Sequence, residues 1–114
     1  MKQWVAGKIH GICVTGSSVD YNGSVSICPD LMAVAGIEQY EWVHIVNLNN
    51  GARWETYALH AAEGEFTLNG GSARLGELHD PCVVMTTAWG ADFGAARVVF
   101  CDQENQMIES MVYE

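Results

Sequence analysis

Apolar and polar positions alternate over short stretches of this chain, the period of β-strands. Trp4 to Val14 alternate loosely, with Lys8 and His10 on one side and Ile9 on the other. Val25 to Cys28 is a short β-like run. Pro29-Asp30-Leu31 then predicts a brief helix, with Asp30 near its N-terminus and Gly36 as its stop. Trp42 to Leu48 and Ala52 to Ala61 flank Asn49-Asn50-Gly51, the strongest hairpin signal in the sequence. After a turn at Glu63-Gly64, Phe66 to Leu68 reads as a strand. Asn69-Gly70-Gly71 reads as a turn, and Ser72 opens one helical turn through Leu78. Cys82 to Trp89 and Ala96 to Cys101 are apolar strands, followed by a polar turn from Asp102 to Asn105. Six or seven short strands with one or two short helices predict a mainly β fold, a closed or nearly closed barrel. The pattern alone does not separate a barrel from a sandwich. With no repeat, linker or low-complexity tract, residues 1–114 read as a single domain.

Charge narrows the partners. Five Lys and Arg against fourteen Asp and Glu give a net charge of −9. Such a surface is repelled by phosphate backbones and anionic membranes, which argues against nucleic acid and membrane partners. It also makes the cations conspicuous. An anionic substrate could be held only by Lys2, Lys8, Arg53, Arg74, Arg97 and little else. No apolar run is long enough to span a bilayer, and the N-terminus lacks the apolar stretch of a secretion signal. Cys13, Cys28, Cys82 and Cys101 show neither a C-x-x-C pair nor ligand spacing with the histidines. The expectation is four free thiols in a reducing cytoplasm and no metal site.

The chemistry centres on Tyr21-Asn22-Gly23-Ser24. A serine hydroxyl can attack the carbonyl that precedes it, turning the amide into an ester. That shift calls for a backbone conformation glycine reaches cheaply and a donor for the oxyanion. Elimination then leaves dehydroalanine, and hydrolysis leaves a pyruvoyl group in place of Ser24. Its ketone forms a Schiff base with an amine and accepts electrons, as a cofactor would. By itself the dipeptide is weak, because Gly16-Ser17 and Gly71-Ser72 also occur and most such pairs are plain turns.

Its surroundings carry more weight. Lys8-Ile9-His10 precedes the Gly23-Ser24 step. Val46-Asn47-Leu48-Asn49-Asn50-Gly51-Ala52-Arg53-Trp54-Glu55-Thr56-Tyr57 follows it, and then Leu68-Asn69-Gly70-Gly71-Ser72-Ala73-Arg74. In this order the set resembles the pyruvoyl-dependent aspartate 1-decarboxylases, over about Gly7 to Val84. The resemblance implies a double-psi β-barrel, usually a homotetramer with active sites between subunits. It implies cleavage into 1–23 and 24–114, then decarboxylation of L-aspartate to β-alanine in pantothenate and coenzyme A biosynthesis. Ser24 becomes the pyruvoyl group. Lys8 and Arg53 match cations that hold the substrate's carboxylates, and Arg53 could do so bidentately. Tyr57 matches the proton donor after carbon dioxide leaves. Thr56 matches a residue that supports the cleavage intermediate and also contacts substrate. Asn69 matches an orienting amide, and the backbone of Gly70, Gly71 and Ser72 a loop that lines the substrate. His10 and Tyr21 are further candidates for the site. Whether cleavage is spontaneous or draws on a maturation helper protein stays open here, as does a preference for glutamate or an uncleaved binding role.

Each residue also has an ordinary reading. Lys8 and Arg53 could be surface charges, Tyr57 a core-edge tyrosine, Thr56 a good strand residue, and His10 a structural hydrogen-bonder. Strand geometry adds a difficulty. Arg53, Glu55 and Tyr57 share one face of a regular strand and Thr56 takes the other, so Thr56 and Tyr57 enter one pocket only if the strand is bulged or strongly twisted, or else each serves a different site across a subunit boundary. The chain also departs from the family pattern. Gly71-Ser72-Ala73 replaces the usual run of alanines, the turn near Glu63-Gly64 is short, and His79-Asp80-Pro81 stands where a Gly-Asp pair is more typical.

Overall fold

The computed structural model describes all 114 residues. Nine strands form one sheet in the order β2-β6-β3-β5-β4-β7-β1-β8-β9. They are β1 (Lys2–Cys13), β2 (Gly16–Ser18), β3 (Ser24–Ile27), β4 (Trp42–Asn47), β5 (Arg53–His60), β6 (Phe66–Asn69), β7 (Pro81–Gly90), β8 (Ala96–Cys101) and β9 (Met107–Tyr113). The protein is therefore mainly β, as the alternation predicts. The sheet curves so that Ile9, Val25, Ile45, Ala58, Leu68, Val84 and Val99, from seven different strands, meet in one core. Burying those aliphatic faces is what holds the sheet curved around one core.

Helix α1 (Pro29–Ala35) presses Leu31, Met32 and Ala35 onto that core. Pro29 opens it with a preset φ, and Gly36 ends it in the left-handed region at φ 72. The hairpin expected at Asn49-Asn50-Gly51 joins β4 to β5, with Val46 opposite Arg53.

The pattern and the structure differ in three places. Two strands escape the pattern. Gly16–Ser18 has the composition of a turn and becomes a strand only because β6 pairs with it. Met107–Tyr113 pairs with β8 at the sheet's edge, and all seven residues are exposed, so no face selects for alternation. The third difference is the helical turn expected from Ser72 to Leu78, which instead runs as a 3-10 turn from Gly70 to Arg74. Its start is set by Asn69, the last residue of β6.

Candidate active site

Strands β3 and β5 are parallel neighbours, with Val25 beside Ala58. Continuing that register by one and two residues sets Tyr57 beside Ser24 and Thr56 beside Gly23. Trp54, Thr56 and Ala58 turn inward along β5, whereas Arg53, Glu55 and Tyr57 turn outward. Val25 and Ile27 belong to the core, so Ser24 and Ser26 share the outward face with Tyr57. The difficulty over Thr56 and Tyr57 dissolves here. The two residues lie on opposite faces of β5, and Thr56 is the one that hydrogen-bonds to the Gly23-Ser24 peptide.

Ser24 is fully buried, an unusual place for a serine at a strand end. Its hydroxyl donates to the Asn22 carbonyl at 2.9 Å and accepts from the Asn69 side-chain amide at 3.1 Å. The same amide donates to the Ser26 hydroxyl at 2.9 Å, which fixes its orientation. On the other side of the peptide, the Thr56 hydroxyl donates to the Gly23 carbonyl oxygen at 3.3 Å. The carbonyl to be attacked and the attacking hydroxyl are thus both held.

Gly23 itself corrects one expectation. It is not in the left-handed region, and a Cβ there would meet nothing within 4 Å. The tight position is Gly70. It has φ +61, and a Cβ on it would lie 2.7 Å from the Gly23 Cα and 2.8 Å from the Gly23 nitrogen. The 3-10 turn rests directly on the glycine of the step, and only a residue without Cβ allows that approach.

Side chains from the β4–β5 hairpin and from β5 anchor the turn. Asn47 and Asn50 each donate to the Leu75 carbonyl at 3.1 Å. Asp80 accepts from Asn47, from Asn49 and from the Glu77 backbone, each at 2.9 Å. Those donors, the Asn47 amide foremost, hold the Asp80 carboxyl below its ordinary range. The Trp54 indole donates to the buried Ser72 hydroxyl at 3.0 Å. Gly71 is exposed.

The remaining candidates lie elsewhere. Lys8 and His10 point outward from β1, opposite the buried Ile9. In the sheet, β5, β4 and β7 stand between β3 and β1, so Lys8 is four strand spacings from Ser24, about 19 Å along the surface. Arg53 is four residues from Tyr57 on the same outward face, about 13 Å away along the strand. Neither cation has a carboxylate within 4.0 Å, since the only such contact in the molecule is His44 to Glu55 at 3.9 Å. Glu55 also accepts from the Trp42 indole at 2.7 Å. The His10 ring sits 5.5 Å from that of Phe100, and its Nδ1 is buried without a partner. Tyr21, by contrast, borders the site: its carbonyl oxygen would lie 2.8 Å from a Cβ on Gly70, while the residue is 54% exposed.

So the structure gathers Gly23, Ser24, Thr56, Tyr57, Asn69, Gly70 and Ser72, and leaves Lys8, His10 and Arg53 further round the outer face. Sequence pattern does not single out Trp54, Ser26, Asn47 or Asp80. Ser26 could have been found, because it lies two residues from Ser24 and so on its face. The others depend on contacts between distant segments. No three His, Cys, Asp or Glu side chains converge as metal ligands would, and no helix is long and apolar enough to cross a membrane. All four cysteines are free and buried.

Known proteins match this sequence along nearly the whole chain. The sequence model of the family described as aspartate decarboxylase covers residues 1–108. Aspartate 1-decarboxylase 2 of Gloeobacter violaceus is 44% identical over 108 residues, spanning 90% of this chain and 86% of the relative. Aspartate 1-decarboxylase of Campylobacter jejuni subsp. doylei is 42% identical over 115 residues, 94% of this chain and 89% of the relative. That of Bdellovibrio bacteriovorus is 41% identical over 107 residues, 90% and 86% of the two chains. The chain belongs to the aspartate decarboxylase family.

Proposed function

We propose that this protein decarboxylates L-aspartate to β-alanine and carbon dioxide, using a pyruvoyl group made from Ser24 after cutting its own chain between Gly23 and Ser24. The observation that carries this reading is the hydrogen bond from Thr56 to the Gly23 carbonyl, made beside a buried serine hydroxyl held by Asn22 and Asn69. As the hydroxyl adds to the carbonyl, negative charge grows on the oxygen that Thr56 already contacts. Asn69 keeps the hydroxyl oxygen in line, and Ser26 keeps Asn69 in line.

The residues present fit the group. A ketone at position 24 would keep the Asn69 amide as a donor, and it would lie beside Tyr57 on the same face. When formed, a pyruvoyl group supplies a carbonyl that bonds to an amine and draws electrons from the carbon losing carbon dioxide. The β3–β5 pairing, extended by one residue beyond Val25 and Ala58, supports the phenol of Tyr57 as the acid that returns a proton to that carbon.

The two carboxylates of aspartate need cations, and within one chain Lys8 is about 19 Å from Ser24 across the sheet and Arg53 about 13 Å from Tyr57 along β5. None of the five Lys and Arg side chains is paired with a carboxylate, and Lys8 and Arg53 are the two at positions that match the family's motif. A second copy that lays its outer face over the Ser24 end would bring Lys8 to the substrate, which supports a homo-oligomer, with a homotetramer as the expected form. Four buried thiols suit a cytoplasmic setting.

The test is the mass of the purified protein. A short chain ending at Gly23 and a longer one blocked at position 24 are expected, and Ser24→Ala should remain one inactive chain. An active protein with a single intact 114-residue mass would overturn the reading.

A further inference from the structure

The same strand reaches the Gly23-Ser24 peptide twice. Thr56 touches its carbonyl directly. Trp54, two residues earlier on the same inward face, reaches it through the 3-10 turn. Its indole N–H donates to Ser72 at 3.0 Å, the only hydrogen bond between β5 and that turn. The turn in turn packs Gly70 against the Cα and nitrogen of Gly23. The residue that immediately precedes the turn, Asn69, is the one that holds the Ser24 hydroxyl. Movement of the turn would therefore loosen both the backing of Gly23 and the aim of Asn69.

Two features mark the Trp54–Ser72 contact as a built one. Ser72 is 5% exposed, so its hydroxyl has little access to water, and Trp54 packs partly buried against the core. A buried indole N–H without an acceptor would be costly.

We infer that Trp54 is a positioning residue for self-cleavage: through Ser72 it latches the Gly70–Arg74 turn against Gly23, keeping Thr56 and Asn69 aligned on the carbonyl and the hydroxyl. The inference rests on the self-cleavage proposed above. In that step the bond from Ser24 Oγ to the Gly23 carbonyl carbon forms. The amide bond between Gly23 and Ser24 breaks, and the hydroxyl proton ends on the freed nitrogen.

The test follows cleavage of the full chain made by cell-free synthesis, scored by gel over time, well below the melting temperature of each variant. Trp54→Phe and Ser72→Ala should each slow cleavage by about 3- to 10-fold, the worth of one neutral hydrogen bond. Because both remove the same bond, the double variant should be no slower than the slower single one. Ser72→Thr keeps the hydroxyl and should recover most of the rate, whereas Ser72→Val, of the same shape, should not. That last comparison separates a latch from mere filling of space. If Trp54→Phe and Ser72→Val cut as fast as the unaltered chain, or if the two losses multiply in the double variant, the latch is refuted. If the unaltered chain never cuts, self-cleavage itself fails, and the latch with it.

Discussion

Thr56 and Gly23 are joined by a hydrogen bond of 3.3 Å, from the threonine hydroxyl to the glycine carbonyl. The next residue, Tyr57, faces the opposite side of the sheet, where Ser24 also points. This alternation divides two tasks between neighbours. Removing the hydroxyl should hinder cleavage, so Thr56→Ala should accumulate as uncut precursor. Tyr57→Phe should still cut itself yet lose turnover by about 10²- to 10⁴-fold, the usual worth of a positioned acid. Gels score the first effect and β-alanine release the second. A Tyr57→Phe chain that stays uncut, beside a Thr56→Ala chain that cuts normally, would reverse the roles.

Lys8 stands four strands from the Ser24 of its own chain. If a second copy supplies it, defects in different chains can complement. Lys8→Ala and Ser24→Ala should each be inactive alone, and co-expression of the two should restore part of the activity in mixed assemblies. Absence of any recovery in assemblies shown by mass to be mixed would place both functions in one chain.

Two cations at positions that match the family's motif, Lys8 and Arg53, favour a substrate with two carboxylates. We expect aspartate to be preferred over glutamate by about 10- to 200-fold in kcat/KM, the discrimination that one methylene allows in an apolar pocket. Measured kcat/KM values for the two amino acids decide this, and a glutamate preference would contradict the substrate assignment.

Asp80 makes the protein acid-sensitive. Its carboxyl titrates below the ordinary value because Asn47, the Glu77 backbone and Asn49 donate to the charged form. A carboxylate with a lowered pKa stabilises the fold above its unfolded value, and this contribution is lost as pH falls through the folded value. The melting temperature should therefore drop on acidification below about pH 4, near the free carboxylate value. Asp80→Asn should flatten that part of the profile. An unchanged acid limb in the variant would remove Asp80 from the account.

Burial also governs the thiols. It pushes Cys82 and Cys101 up to about 12, and raises Cys13 and Cys28 as well. Thiolate is the reactive form, so a thiol reagent at neutral pH should find almost none of the four in the folded protein. After denaturation without reductant it should find four. A denatured count of two or fewer would mean that disulfides form.

Much of this protein is written locally, and the reason is physical. Strands β4 and β5 bury one face each, so their side chains alternate and the alternation survives in the sequence, whereas β7 and β8 bury consecutive residues, Cys82 to Val84 and Val98 to Val99, and show as apolar runs. The helix is announced by Pro29 and Gly36 because fixed and left-handed φ values belong to those residue types. The candidate nucleophile, its threonine and its tyrosine sit in short motifs that carry the family resemblance. What the tertiary structure alone decides is which distant segments meet. Parallel pairing of β3 with β5 turns the opposite faces of Thr56 and Tyr57 from an obstacle into a division of labour, and no local pattern encodes that register. Gly70 looks like one turn glycine among several until the fold sets it against Gly23. Trp54 looks like a strand residue until Ser72, eighteen positions on, accepts its proton. Such contacts depend on how the curved sheet closes, and that is settled by the burial of many strands at once.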